Sequence, residues 1–282
     1  MRMIKKLKYI TILTILAFNA QANEPKVVVT IAPIHSLVTE VMKGVAKPYL
    51  LLKPGESPHT YNLRPSKVRR LHAANLIIWV SSNIESFLEK SLRTIKVPKI
   101  QLIDLPNLKL LNTDPHIWLD PNNAQVMVQA IAASLAKIDS VHAQTYVNNA
   151  NNLVIKIKAL DQQLKLKLAP IQDLPYLVFH DAYKYFEHHY KLAAVASIKL
   201  SPEARLSVRR VYKLRRQIKR QNIRCIFSEP QFQSPLIRIL TEDTSVKHGI
   251  LDPLGNGSYF ELLNGLAKSL TECLKTIRPD RF

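Results

Sequence analysis

The sequence predicts an α/β protein of two lobes, each built on a mainly parallel sheet flanked by helices, joined by one long rigid connector helix. Two observations carry this. Short apolar, β-branched runs alternate with helical patterns in both halves of the chain, the pattern of parallel strands covered by helices. Between the halves, His142 to Leu168 contains neither Gly nor Pro, while Tyr146, Leu153, Ile157, Leu160, Leu164 and Leu168 recur at helical spacing.

In chain order, residues 1–22 come first and have the three parts of a secretory signal peptide. Arg2, Lys5, Lys6 and Lys8 lead into the apolar run from Tyr9 to Phe18, and Ala20-Gln21-Ala22 supplies small residues for cleavage. The alternative reading, a membrane anchor, needs about twenty apolar residues, roughly double what this run offers. No cysteine stands at the cleavage point to take a lipid. The mature chain is therefore expected to be exported to the periplasm.

Residues 23–140 are expected to form the N-terminal lobe. Strands are predicted at Val27 to Ile31, Tyr49 to Leu52 and Leu76 to Val80, and helices near Ile34 to Lys43, Pro65 to Ala74 and Asn122 to Ile138. The connector helix follows at 141–170. Its uninterrupted stretch of about 27 residues would reach roughly 40 Å, long for a globular domain. Pro170 and Pro175 end it. Residues 171–282 are expected to form the C-terminal lobe, with strands near Tyr176 to Phe179, Lys191 to Ala196, Arg224 to Phe227 and Val246 to Leu251.

The composition is ordinary for a globular protein, with 47% hydrophobic and 22% charged residues, but the formal net charge is +19. Removing the four basic residues of the leader leaves +15. Such a charge favours acidic partners, yet export argues against nucleic acid. Only six glycines and no Walker motif are present, so ATP hydrolysis is not expected of this chain. Cys225 and Cys273 are the two cysteines, and an oxidising compartment favours their pairing as a disulfide. The rival reading as redox or metal thiols lacks CxxC spacing.

Three histidines sit beside turns or strand ends rather than within a helical stripe. His59 lies in Lys53-Pro-Gly-Glu-Ser-Pro-His-Thr-Tyr, His116 in Asp114-Pro-His-Ile-Trp-Leu-Asp120, and His180 closes the run Tyr176-Leu-Val-Phe. Ligands of open α/β sheets gather where such loops project. Three neutral imidazoles and one oxygen make an ordinary zinc site. The spacing alone is not diagnostic, and each histidine taken singly also reads as a surface or hydrogen-bonded residue. His35, His72, His142, His188, His189 and His248 are expected to be solvent-facing or structural.

The words Lys53-Pro-Gly-Glu-Ser-Pro-His-Thr-Tyr-Asn-Leu-Arg-Pro-Ser66, Pro115-His-Ile-Trp-Leu-Asp120, Val178-Phe-His-Asp-Ala-Tyr-Lys-Tyr-Phe186, Phe227-Ser-Glu-Pro-Gln-Phe232 and Leu251-Asp-Pro-Leu-Gly255 resemble the ZnuA-type family of zinc-binding subunits of ABC importers. Their order runs over nearly the whole mature chain. The resemblance implies a monomeric, non-enzymatic zinc-binding protein, with metal held between two lobes and delivered to an inner-membrane permease driven by a cytoplasmic ATPase. Carried over residue by residue, His59, His116 and His180 match metal ligands. A carboxylate stands at the His180 position in manganese-binding relatives, so the third imidazole implies zinc.

For the fourth ligand, Asp252 matches a position that supplies a carboxylate in relatives, with Glu56 or water as alternatives and a turn role before Pro253 as its structural reading. Pro58 stands where some zinc members carry a glutamate. Asp181 is expected either to orient an imidazole or to cap the next helix. Cys225 and Cys273 fall where zinc members often carry a disulfide. Two departures stand out. Leu105 to Thr113 lacks the histidine-rich loop of many members, and the family does not explain the basic charge.

Part of that charge is organised, because Arg205, Arg209, Lys213, Arg216 and Arg220 recur every three or four residues on a helix expected over Ala204 to Gln221. The stripe reads as a solvated face, or as contact with an acidic patch on the permease or with anionic lipid. The rival functions are a zinc-dependent hydrolase, which the absence of HExxH disfavours, and a metal-binding adhesin or manganese-binding homologue.

Overall fold

The computed structural model describes residues 24–199, 204, 206–232 and 235–275. The leader, Arg205 and the last seven residues lie outside them. Two four-stranded sheets, each wholly parallel, form the two lobes. The first contains β1 (Val27–Val29), β2 (Tyr49–Leu50), β3 (Leu76–Trp79) and β4 (Lys99–Gln101) in the order β2-β1-β3-β4. The second contains β5 (Tyr176–His180), β6 (Ala194–Lys199), β7 (Cys225–Ser228) and β8 (Lys247–Ile250) in the order β6-β5-β7-β8. The two orders are the same topology used twice. β1, β3 and β5 are buried along their whole length, as parallel strands covered on both faces must be.

Helices α1 (Ala32–Val41), α2 (Pro65–His72), α3 (Ser86–Thr94) and α4 (Pro121–Ile138) accompany the first sheet. Helix α4 starts where the sequence says it should. Pro121 occupies its first turn, and Asp120 Oδ1 accepts the Asn122 amide at 2.7 Å, satisfying one of the open N–H groups of a helix start. The connector α5 runs from Ala143 to Leu168, 26 residues, and buries the predicted stripe Tyr146, Leu153, Ile157, Leu160, Leu164 and Leu168. It packs against α4 and α1 on one side of the molecule. At its N-terminal half, Asn149 Nδ2 donates to the carbonyls of Val41 and Lys43.

Helices α6 (Lys184–Tyr190), α7 (Val208–Arg220), α8 (Leu236–Thr241) and α9 (Tyr259–Lys275) accompany the second sheet. α9 packs on α5 and shares one continuous core with both lobes. α7 and α8 cover the opposite face of the second sheet over a separate core around Leu177, Phe179, Leu214 and Ile226. Three differences from the sequence expectation have physical causes. β6 begins at Ala194 rather than Lys191, because Lys191 takes the left-handed conformation at φ 56° that ends α6. α7 begins at Val208, where the Ser207 side chain accepts the Arg210 amide. β4, α3, α8 and α9 are additional to the expected elements, the short ones because three to nine residues carry little periodicity.

Candidate metal centre

In each sheet the strand order reverses beside the first strand, so a crevice opens at the carboxyl ends of β1 and β3 in one lobe and of β5 and β7 in the other. The three histidines meet there. His180 is the last residue of β5, His116 precedes the short 3₁₀ turn Ile117–Leu119, and His59 lies in the loop after β2. Their rings lie 5.3 to 5.9 Å apart between centroids, and one nitrogen of each lies within 4.8 Å of the others. His116 and His180 are buried, while His59 keeps partial exposure at the mouth.

His116 Nε2 and His180 Nε2 lie 3.4 Å apart. Each ring uses its other nitrogen on a buried carboxylate. His116 Nδ1 is 2.7 Å from Asp114 Oδ1, and His180 Nδ1 is 2.5 Å from Glu229 Oε1. A carboxylate accepts, so each Nδ1 carries the proton and each Nε2 presents a lone pair. Two lone pairs that face one another at hydrogen-bond distance have no proton to share. A cation between them resolves this. For Zn–N bonds of about 2.0–2.1 Å and tetrahedral angles, nitrogens should stand roughly 3.3 Å apart, which is what the pair shows.

The surroundings favour the neutral form of two of the rings, His59 and His116. Burial, then repulsion by His116 and His180, lowers the His59 pKa to about 3. Burial lowers that of His116 as well, against the opposing pull of Asp114. Pro58, Ile84, Phe232, Pro253 and Leu254 supply apolar walls of the pocket. The lobes are also tied beside it: Trp118 Nε1 donates to the Pro253 carbonyl at 2.8 Å, and Tyr259 Oη donates to the Trp118 carbonyl at 2.8 Å.

Asp252, expected as a fourth ligand, does not join the cluster. Its Oδ1 accepts from Gln231 Nε2 at 2.8 Å and from the Leu254 amide at 3.0 Å, the turn geometry of an aspartate before Pro253. Gln231 itself lines the pocket, and its buried Oε1 has no hydrogen-bond partner among the described residues. The alternative, Glu56, is used locally, where its Oε2 accepts the Lys53 amide at 2.7 Å. Asp181 pairs with Lys184 rather than with an imidazole, and α6 has no side-chain cap. The orienting carboxylates are Asp114 and Glu229, neither assigned a role from sequence, although Glu229 lies in a word that carried the family resemblance and Asp114 directly precedes another.

Among the other histidines, His35 contacts the Pro48 carbonyl, His142 pairs with Asp139, His248 contacts Ser228, and His189 lies between Asp120 and Asp161. His72 and His188 are exposed. Cys225 and Cys273 form a disulfide that joins β7 to α9, as expected.

Residues 27–273 match the family described as zinc-uptake complex component A, periplasmic. The chain belongs to this family. It is 32% identical to the high-affinity zinc uptake system protein ZnuA of Brucella abortus over 88% of this chain and 91% of that protein. The ZnuA proteins of Paracoccus denitrificans (32%, covering 92% and 94%) and Yersinia pestis (31%, covering 88% and 91%) are similar relatives. Among solved structures, the Zn(II)-bound ZnuA-like domain of Streptococcus pneumoniae AdcA is 26% identical, with a TM-score of 0.76 over 90% of this chain and all of that one. The periplasmic zinc-binding protein TroA of Treponema pallidum, 20% identical with a TM-score of 0.82 over 89% and 99%, has the same fold.

Proposed function

We infer that this protein is the zinc-binding component of an ABC zinc importer: it captures Zn(II) in the periplasm and carries it to the permease. The observation that carries this reading is the pair of Nε2 atoms 3.4 Å apart, each fixed by a carboxylate on the far side of its ring. Zinc is the cargo, held by His59, His116 and His180. A water molecule fills the fourth position and donates a hydrogen bond to Gln231 Oε1. Asp252 belongs to the site as the carboxylate that holds Gln231. Neutral imidazoles suit zinc better than manganese, which favours oxygen ligands.

The maturation and organisation fit this role. Residues 1–22 are removed on export, 23–140 and 171–282 are the two lobes, and 141–170 is the rod between them. The mature protein acts as a monomer and meets an inner-membrane permease with its cytoplasmic ATPase. Binding rather than turnover is favoured because the two nearest carboxylates, Asp114 and Glu229, are both engaged with ring nitrogens. Competition titration of purified mature protein tests the reading. One Zn(II) per chain, bound far more tightly than Mn(II), supports it; equal affinity, or none, would overturn it.

A further inference from the structure

We propose that the outer face of α7 and α8 is a docking surface for an anionic phospholipid bilayer, through which the protein collects on the membrane that holds its permease. α7 has 13 residues, seven of them Arg or Lys and none acidic. Arg210 is spent on the Ser197 carbonyl, and Arg215 on the carbonyls of Ile239 and Glu242. Among the described residues, no ion pair or hydrogen bond holds the side chains of Arg209, Lys213, Arg216, Lys219 and Arg220, all exposed.

Apolar groups stand among the cations. Val208 is 73% exposed, Tyr212 68% and Ile239, from α8, 44%. With Arg216 and Lys219 they border a shallow groove of about 590 Å³. Val208, Tyr212, Arg216 and Lys219 follow one another at helical spacing, so one strip of the helix is apolar at its start and cationic at its end. The inward positions Leu214 and Ile218 are buried in the second core, which fixes this strip outward, on the sheet face opposite the one that α9 and the connector cover.

A bilayer fits these features better than a single acidic protein segment. The cations spread along about 20 Å of helix rather than converging on one point. A tyrosine ring flanked by aliphatic groups in a cationic field suits the headgroup layer. The excess of positive charge extends over the whole mature chain, as attraction to a sheet of negative charge requires. Each cation near such a surface strengthens partition about fivefold. The choice of a bilayer rests on the exported reading, but zinc binding is not required for it.

Vesicle flotation with the mature zinc-loaded protein tests the proposal, using phosphatidylcholine alone against phosphatidylcholine with roughly a third phosphatidylglycerol. At least tenfold preference for the anionic vesicles is expected, weakening as salt rises from about 0.05 to 0.3 M. The variant Arg209→Glu/Lys213→Glu/Arg216→Glu/Lys219→Glu should lose the anionic binding while still titrating one zinc, which shows that it is folded. Tyr212→Ser should weaken binding several-fold at unchanged charge. Equal partition into both vesicles, unchanged binding by the charge-reversed variant, or retention by an acidic peptide but by no vesicle would each overturn the proposal. Loss of zinc binding with vesicle binding intact would count against the zinc reading alone.

Discussion

His180, at the end of a second-lobe strand, and Glu229, just beyond the neighbouring strand, are 49 residues apart in sequence and joined by a 2.5 Å contact between Nδ1 and Oε1. The pairing of β5 with β7 creates that contact, and the contact determines which nitrogen of His180 faces the first lobe. His116 repeats the device within one turn of chain through Asp114. Carboxylates behind metal-binding imidazoles fix the tautomer and raise ligand basicity.

Glu229→Gln and Asp114→Asn should therefore each weaken zinc about 10- to 100-fold, because an amide neither fixes the tautomer nor supplies charge. Circular dichroism should stay unchanged, since the shape is retained. A variant binding zinc as tightly as the parent would show that the carboxylate is merely structural.

Asp252→Ala separates a ligand from a support. If Asp252 only steadies Gln231, the loss should stay within about tenfold, whereas His116→Ala should lose more than a hundredfold by the removal of a bonded nitrogen. Comparable losses at the two positions would place the Asp252 carboxylate on the metal.

The acid side of the pH profile follows from His59. An ordinary imidazole of pKa 6.5 would cost about thirtyfold in apparent affinity at pH 5, and three of them about thirty thousandfold. With the His59 pKa at about 3 and that of His116 also lowered, the measured loss between pH 7.5 and 5 should be far smaller than that product. The same shift acts on stability. The unfolded chain protonates His59 near pH 6.5 and the folded chain only near 3, so the unfolded state binds more protons across that window. The metal-free protein should lose thermal stability as pH falls through it. A melting temperature that rises on acidification would refute the assignment.

Removing the Cys225–Cys273 disulfide opens a loop with a sequence separation of 48. Chain entropy puts its contribution near 4 kcal/mol at most. Cys225→Ser/Cys273→Ser should lower the denaturation midpoint substantially but shift zinc affinity little, because neither residue lines the metal pocket. A tenfold loss of zinc affinity in the folded variant would tie the disulfide to the site.

Much of the architecture was legible because it is local. The connector showed itself through a long stretch without Gly or Pro and a helical apolar stripe, and α4 through the helical pattern of Asn122 to Ile138. The three imidazoles were found through the words around them, but their convergence was not readable from spacing, since strand order decides it. Glu229 was hidden for the same reason. Asp114 stood two residues from His116, close enough to notice, yet only the backbone turn shows that it reaches Nδ1. Asp252 was legible as a carboxylate near the site but not as one spent on Gln231, because that bond joins two loops.

X-ray absorption at the zinc edge of the loaded protein tests the convergence itself. Three imidazole nitrogens and one oxygen at about 2.0–2.1 Å are expected. A shell with two imidazoles or fewer, or with sulfur at about 2.3 Å, would contradict a site built by His59, His116 and His180.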